Sequence, residues 1–561
     1  MTPIAPYLAV LVVTLVTFPA LAQSPPPQID SINERDLRAD LFFIGSDAMR
    51  GRLTNTPENL ITSEFIKSRF ERLGLAAAVP GYFQNYDVTR VTLGPTNTLE
   101  VIQNGSPMSV THGEGFNTEW FSATADVRAP VVFAGYGITA PDLRHDDYRA
   151  EDVVKGTIVL VIDHEPGEHD PGSPFDGVVA SELSGTLRKA QAAQARGAVG
   201  ILFVSDVHNH PAPSGGPADP AAGTRAGGDW PPQPPRLGAY SLADWMKSIR
   251  IPAARISTAT AATLIAGTGR TLEDLSRSSD RPGGIAAVRL PGAEGHLATA
   301  VDPNPLSDRN VLAMIQGSDA RLRNEWVIVS AHFDHGGADG SQVLNGADDN
   351  GSGTVALLEI AEAYALAAKA GRRPRRSVLF ASFNSEEHGL LGAWAYTLQP
   401  AAPLAQTVAV LNMDMVGRNE EVPAMDRDGR FNGLEPQTAT SNANALNIIG
   451  SVRTPALKAN IARISPGIGL DIKYRYDNSA SQLLRRSDHW PFVQNGVPGL
   501  WFFTGLHPDY HDIDDDPGRI NYEKMARIAR LVYQVSWDLA QQNTRPALLP
   551  RSAPGVPGPP R

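Results

Sequence analysis

The chain has 561 residues, with 49 Lys and Arg against 60 Asp and Glu, a formal charge of −11 and a pI near 5.7. This length allows two to four domains and a sizeable core, and the acidic balance excludes nucleic acid as the main partner. The absence of cysteine removes disulfides, thiolate ligands and thiol nucleophiles, so any metal must be held by His and carboxylates.

Ile4–Phe18 is almost wholly apolar, and Ala20-Leu21-Ala22 offers a small-x-small cleavage pattern. Residues 1–22 are therefore expected to be an export signal cut after Ala22, although its n-region lacks Lys and Arg. The run is too short to span a bilayer and no other stretch is long enough. The mature protein is expected to be exported, periplasmic or secreted, and soluble, without stable membrane anchoring. A Pro-rich linker, Gln23–Pro27, leads into a helical region from about Ile32 to Leu75. There Leu60, Phe65, Phe70 and Leu73 recur at near-helical intervals and Gly74 stops the run. Residues 23–96 are assigned to the N-terminal part of the main domain.

From residue 97 to 290 the texture changes to short β-rich runs cut by turns: Val131–Phe133, then Gly135-Tyr136-Gly137, then Thr157–Ile162. A helix from about Leu187 to Arg196 ends at Gly197 and leads into a strand at Val199–Val204. His208 and His210 follow it and could form a metal pair, but no acidic partner follows at ligand spacing, so they read as solvated. Asp206–Trp230, rich in Pro, Gly and Ala, reads as a surface excursion.

Residues 291–544 alternate strand, loop and helix. Trp326–Ala331 and Val378–Phe383 are expected strands, and Ser352 is the expected cap of a helix running to about Lys369, with Gly371 as its stop. Arg372–Arg376 is expected to be that helix's solvated end. The alternation predicts an α/β fold, a mixed and mostly parallel sheet flanked by helices, with a β-rich domain inserted in it. Residues 428–485 read as an irregular insertion near the crevice, and the Pro-rich tail, 545–561, as disordered.

Chemistry-bearing residues sit just past the apolar runs. They are His332, Asp348, Glu387, Asp414 and His511, with Glu386 beside the third. In open α/β sheets functional groups gather outside the carboxyl ends of strands, so donors spread over about 180 positions can share one crevice. In His332-Phe333-Asp334-His335 the spacing lets Asp334 orient a ligating imidazole through its second nitrogen. Asn345-Gly346-Ala347-Asp348-Asp349-Asn350-Gly351-Ser352-Gly353 is either a hydrated turn or a place where one carboxylate bridges two cations. Ser385-Glu386-Glu387 ends a buried strand in two acids, which burial forbids unless they are paired or metal-bound. Consecutive side chains in extended backbone point to opposite sides, so one Glu can bind metal while the other faces water. Charge counting is consistent with two Zn²⁺: Asp348, Glu387 and Asp414 offset three of four positive charges, and a bridging hydroxide the fourth. Glu386 is then the expected general base, and Tyr510 a candidate donor to the oxyanion.

HFDH, NGADDNGSG, NSEEHGLLG, NMDMVGR, RSDHWPF and PDYHDIDDD together resemble the co-catalytic zinc exopeptidases of metallopeptidase family 28, which include bacterial aminopeptidases and glutamate carboxypeptidases. The likeness covers about Ile32–Pro95 and Asn304–Leu539. It implies one zinc on His332, Asp348 and Asp414 and another on Asp348, Glu387 and His511, with Asp348 bridging and Glu386 as base. It also implies a cis peptide at Asp348-Asp349 and a supporting role for Asp488-His489. FAGYGI, KGTIVLVI and KAQAAQARGAVGILFV resemble a protease-associated domain. The expected activity is removal of N-terminal residues from peptide substrates. Alternatives are a glutamate-type carboxypeptidase, a single-zinc glutaminyl cyclase and a silent receptor-like relative. A carboxypeptidase needs a cation for the substrate carboxylate, for which Arg418, Arg485 and Arg486 are candidates. An aminopeptidase needs a free acid for the α-ammonium, for which Glu420 and Glu421 are candidates. Oligomeric state cannot be read from the sequence.

Overall fold

The structure, a computed structural model, describes residues 25–211, 240–425 and 431–551. The expected export signal, much of the excursion after Asp206 and residues 552–561 of the tail lie outside the described residues. The N-terminal region forms two helices. Helix α1 (Glu34–Ile44) starts where the Asn33 side chain accepts from Asp36 N–H. Helix α2 (Pro57–Leu73) is capped by Thr56, opened by Pro57, and stopped by Gly74 at φ 74°. Phe70 and Leu73 are buried as the periodicity predicts, whereas Leu60 is 48% exposed because α2 turns Asn59, Thr62 and Ser63 inward instead. Strand β1 (Phe83–Leu93) follows.

The inserted domain is an eight-stranded sheet. Its centre is parallel: Ala125–Phe133, β2 (Ile158–Ile162), β3 (Gly200–Val204) and Ala253–Ile256. Val288–Thr299 pairs antiparallel on one flank. The insertion thus runs to Thr299, past the expected end at residue 290. Strand β4 (Val301–Ile315) then returns along β1, from Val301 opposite Leu93 to Val311 opposite Phe83. This antiparallel ribbon joins the two domains, and Tyr240–Leu242, late in the insertion, adds itself to the other edge of β1.

The main sheet has ten strands. Its centre is formed by β5 (Trp326–His332), β6 (Ser377–Phe383), β7 (Thr407–Met413) and β8 (Gly499–Phe503), all parallel in the order β6-β5-β7-β8. Antiparallel strands complete both sides, β4 against β6 and Ala445–Ile449 against β8. Every residue of β6, β7 and β8 is buried, as a sheet covered on both faces requires. Helices α3 (Gly353–Lys369) and α4 (Tyr522–Gln541) cover one face through Leu358, Ala361, Ile528 and Val532. Tyr396 and Phe492 cover the other. Each such buried Leu, Ile or Phe contributes about 1.5–3 kcal/mol.

Four expectations change. Arg376 is not solvated but fully buried: it reaches Glu325 at 2.6 Å and donates to the carbonyl oxygen of Leu539 at 2.8 Å, so it ties β6 to the end of α4. Residues 431–485 are irregular only in part, since they supply the last two strands on one side of the sheet, Ala445–Ile449 and the edge strand Asp471–Lys473, and the helix Pro455–Ile464. The described start of the tail is docked: Arg545 donates to Thr407 O at 2.7 Å, and Leu549 exchanges two 2.8 Å hydrogen bonds with Arg453. Ser352 is itself helical and caps nothing, since its hydroxyl donates to Asp348 O at 2.8 Å. Asn350 Oδ1 accepts from Gly353 N–H instead.

Candidate metal centre

The carboxyl ends of the four central strands converge, as their parallel order dictates. His332 ends β5 fully buried, with its carbonyl held by Thr354 Oγ1 of α3 at 2.7 Å. Around its Nε2 stand Asp349 Oδ1 at 3.4 Å, Asp414 Oδ1 at 3.4 Å and Glu386 Oε2 at 3.8 Å. Neither ring nitrogen makes a hydrogen bond. A buried imidazole ringed by carboxylates beyond hydrogen-bonding reach is costly unless a cation sits among them. For zinc bonds of about 2.0–2.1 Å, the edge of a coordination tetrahedron is about 3.4 Å, which is the spacing found.

A second cluster lies on the other side of the same aspartate. His511 Nε2 is 3.0 Å from Asp349 Oδ2 and 3.1 Å from Glu387 Oε2. His335 Nδ1 is 2.6 Å from Glu387 Oε1 and 3.9 Å from Asp349 Oδ2. The donors thus divide into His332, Asp349 and Asp414 on one side, and His335, Asp349, Glu387 and His511 on the other. Both groups fit Zn²⁺ in donor type.

The shared aspartate is Asp349, and Asp348 is corrected. Asp348 carries its carboxylate away from the cleft, where Oδ1 accepts from Gly417 N–H at 2.6 Å and Oδ2 lies 3.3 Å from His507 Nε2. Asp515 fixes this choice by accepting from the N–H groups of both Asp348 and Asp349 at 3.0–3.1 Å. Asp349 is locally extended, φ −102° and ψ 99°, so its side chain points opposite to its neighbour's. The cis peptide is likewise at Asp349-Asn350 rather than Asp348-Asp349.

Asp334 does more than face an imidazole. Its oxygens accept from the N–H groups of Glu386 at 3.0 Å and Glu387 at 3.2 Å, which holds the end of β6 in place. Its 3.6 Å separation from His332 Nδ1 is too long for a hydrogen bond. Asp414 is steadied by Ser487 Oγ at 2.5 Å, and its carbonyl by Trp501 Nε1 at 2.9 Å. Asp488 is buried near this cluster, with both carboxylate oxygens unpaired, and His489 is buried beside it. Tyr510 lines the cleft with Glu386, its ring stacked 4.0 Å from His511 and its oxygen accepting from Arg486 at 3.0 Å.

Electrostatics follow the packing. Burial pushes the Glu386 carboxyl well above the ordinary range, reinforced by Asp414, Glu387 and Asp488. Burial opposes protonation of His332, yet Glu386 and Asp414 hold it well above its usual value. Burial also works against ionised Glu387, but His511 and His335 bring it down to about 2.

Among candidates for substrate recognition, Arg418 pairs with Asp509 at 2.6 Å, and Arg485 donates to Ala180 O at 3.0 Å. Arg486 alone of the three lines the cleft. Glu420 is fully buried and engaged by Arg475, Tyr476 and Asn447. Sequence reasoning missed His335, His507 and Asp515. His335 stood inside the HFDH motif, but nothing local distinguishes it from a packed histidine.

Residues 310–536 match peptidase family M28, and residues 127–264 match the PA domain. The chain is 26% identical to a probable glutamate carboxypeptidase of Arabidopsis thaliana over 91% of its own length and 70% of that protein's. It is 27% identical to a probable zinc metalloprotease of Leptosphaeria maculans over 46% of its length and 60% of that protein's. Among solved structures, an aminopeptidase from Aneurinibacillus sp. strain AM-1 is similar with a TM-score of 0.48, at 18% identity, covering 93% of this chain and 96% of that one.

Proposed function

We propose that this chain, a family M28 peptidase by its residues 310–536 with a PA domain inserted, is an exported two-zinc aminopeptidase. The observation that supports it is the pair of donor groups sharing Asp349, with Glu386 standing beside them unassigned to either. His332, Asp349 and Asp414 would hold one ion, and Asp349, Glu387 and His511 the other, with His335 beside Glu387. Bound there, zinc lowers the pKa of water and polarises the scissile carbonyl.

The chain's own residues do the rest. Glu386, held at the cleft by the Asp334 contact to its backbone, takes the proton of the attacking water and passes it to the leaving amine. Tyr510 presents its hydroxyl at the rim, steadied by Arg486, where an oxyanion develops. The two-pole donor set argues against a single-zinc cyclase, and its completeness against a silent receptor-like relative.

The choice of free-amine substrates rests on the arginines. A carboxylate clamp needs a planar guanidinium fork, and Arg418 and Arg485 are spent elsewhere while Arg486 already donates to Tyr510. A carboxypeptidase remains the second reading because Arg486 does line the cleft. Aminoacyl anilides, set against N-blocked peptides ending in glutamate, distinguish the two. We expect turnover of the anilides, its loss with chelator and its return with Zn²⁺. Turnover confined to the blocked peptides would reverse the assignment.

A further inference from the structure

We infer that the inserted domain holds a metal site of its own, a Zn²⁺-type site built from His164, Glu168 and His210. His164 and Glu168 follow β2, and His210 follows β3. These strands are adjacent and parallel, and Asp163 N–H continues their pairing to Val204 O at 2.8 Å. Their carboxyl ends therefore open the same kind of crevice that the main sheet uses.

Glu168 is the hub. Its Oε2 is 2.9 Å from His164 Nδ1 and its Oε1 is 2.8 Å from His210 Nε2. One donor atom from each residue lies within 4.8 Å of the others. The two imidazoles stack at 4.1 Å, and each directs one nitrogen to a different oxygen of the same carboxylate. Glu168 is only 11% exposed, while His164 and His210 are 42% and 43% exposed, so a water can complete the coordination. His164 adopts φ 64°, a conformation that a non-glycine residue rarely takes, and one found at ligand clamps.

The surroundings fix this trio rather than compete with it. Buried Asp206 accepts from the N–H groups of His208 at 3.0 Å and Asn209 at 3.3 Å, and from Tyr136 Oη at 2.7 Å, which sets the turn that delivers His210. Asp280 accepts from Gly167 N–H at 2.7 Å and sets the turn that delivers Glu168. The metal-binding partner of His210 is thus not His208 but residues more than 40 positions upstream. Two imidazoles and one carboxylate with an open position form a donor set that zinc uses, and imidazole disfavours Ca²⁺ and Mg²⁺. The loop after β2 continues to Val178, Ala180 and Glu182, which bond Asn478, Gln482 and Trp490 of the main domain at 2.7–2.9 Å. An ion on Glu168 braces the near end of that docking loop.

The test is Zn²⁺ binding to the full chain by equilibrium dialysis, for the wild type, the double variant His164→Ala/His210→Ala, and Glu168→Gln. Folding is checked by circular dichroism. We expect each variant to hold one equivalent fewer than the wild type at micromolar Zn²⁺, with hydrolysis retained. The readout is a difference between proteins, so it stands whether the Asp349 centre takes two ions, one or none. Equal Zn²⁺ content in the wild type and Glu168→Gln would overturn the site and leave three residues joined only by hydrogen bonds. Glu168→Gln also decides the matter if the double variant does not fold.

Discussion

Exchanging the two adjacent aspartates one at a time tests the geometry most directly. Asp349→Asn alters the one side chain whose oxygens face both donor groups, at 3.4 Å from His332 and 3.0 Å from His511. If each ion stabilises the transition state by several kcal/mol, disabling the centre costs at least about 4 kcal/mol, or about a thousandfold in kcat/KM. Asp348→Asn keeps an oxygen for Gly417 N–H, whose bond is 2.6 Å, and removes only a charge behind the centre. Such outer support is worth about 10–100-fold in metal affinity. The assay is anilide kcat/KM together with bound zinc, measured on both variants. If Asp348→Asn proved the more damaging, or Asp349→Asn kept its zinc and its rate, the assignment of the bridge to Asp349 would be wrong.

Glu386→Gln should retain its zinc and lose about 10²–10⁴ in kcat, and wild-type turnover in that variant would remove the assigned base. Glu359, 2% exposed on α3, has its carboxyl pushed up to about 8, chiefly by burial. The unfolded chain loses that proton near pH 4.5 and the folded chain keeps it, so stability falls between these values as pH rises. The drop is at most about 5 kcal/mol at about 1.4 kcal/mol per pH unit, and Glu359→Gln should flatten it in urea unfolding at pH 5 and pH 8. No difference in pH slope between the two proteins would count against it. Arg376→Ala strands Glu325 and the carbonyls at the end of α4, and should cost about 3 kcal/mol. A shift in urea midpoint equivalent to under 1 kcal/mol would show that solvent replaces those bonds.

The sequence by itself determined the types of donor and their place at strand ends. Acids closing buried apolar runs, as at Glu386, Glu387 and Asp414, are intelligible without coordinates because burial penalises lone charges. The strand and helix pattern was legible for the same reason, since the central strands are apolar on both faces. Only the tertiary structure decided between Asp348 and Asp349. Both are Asp in one polar turn, and the difference is a backbone rotation fixed by Asp515, which is 166 positions from the second of them. It alone gave His335 and Arg376 their partners, and it brought His210 to Glu168 across 42 residues. Local composition specifies which groups must be satisfied, whereas the identity of the satisfying partner depends on strand order and register.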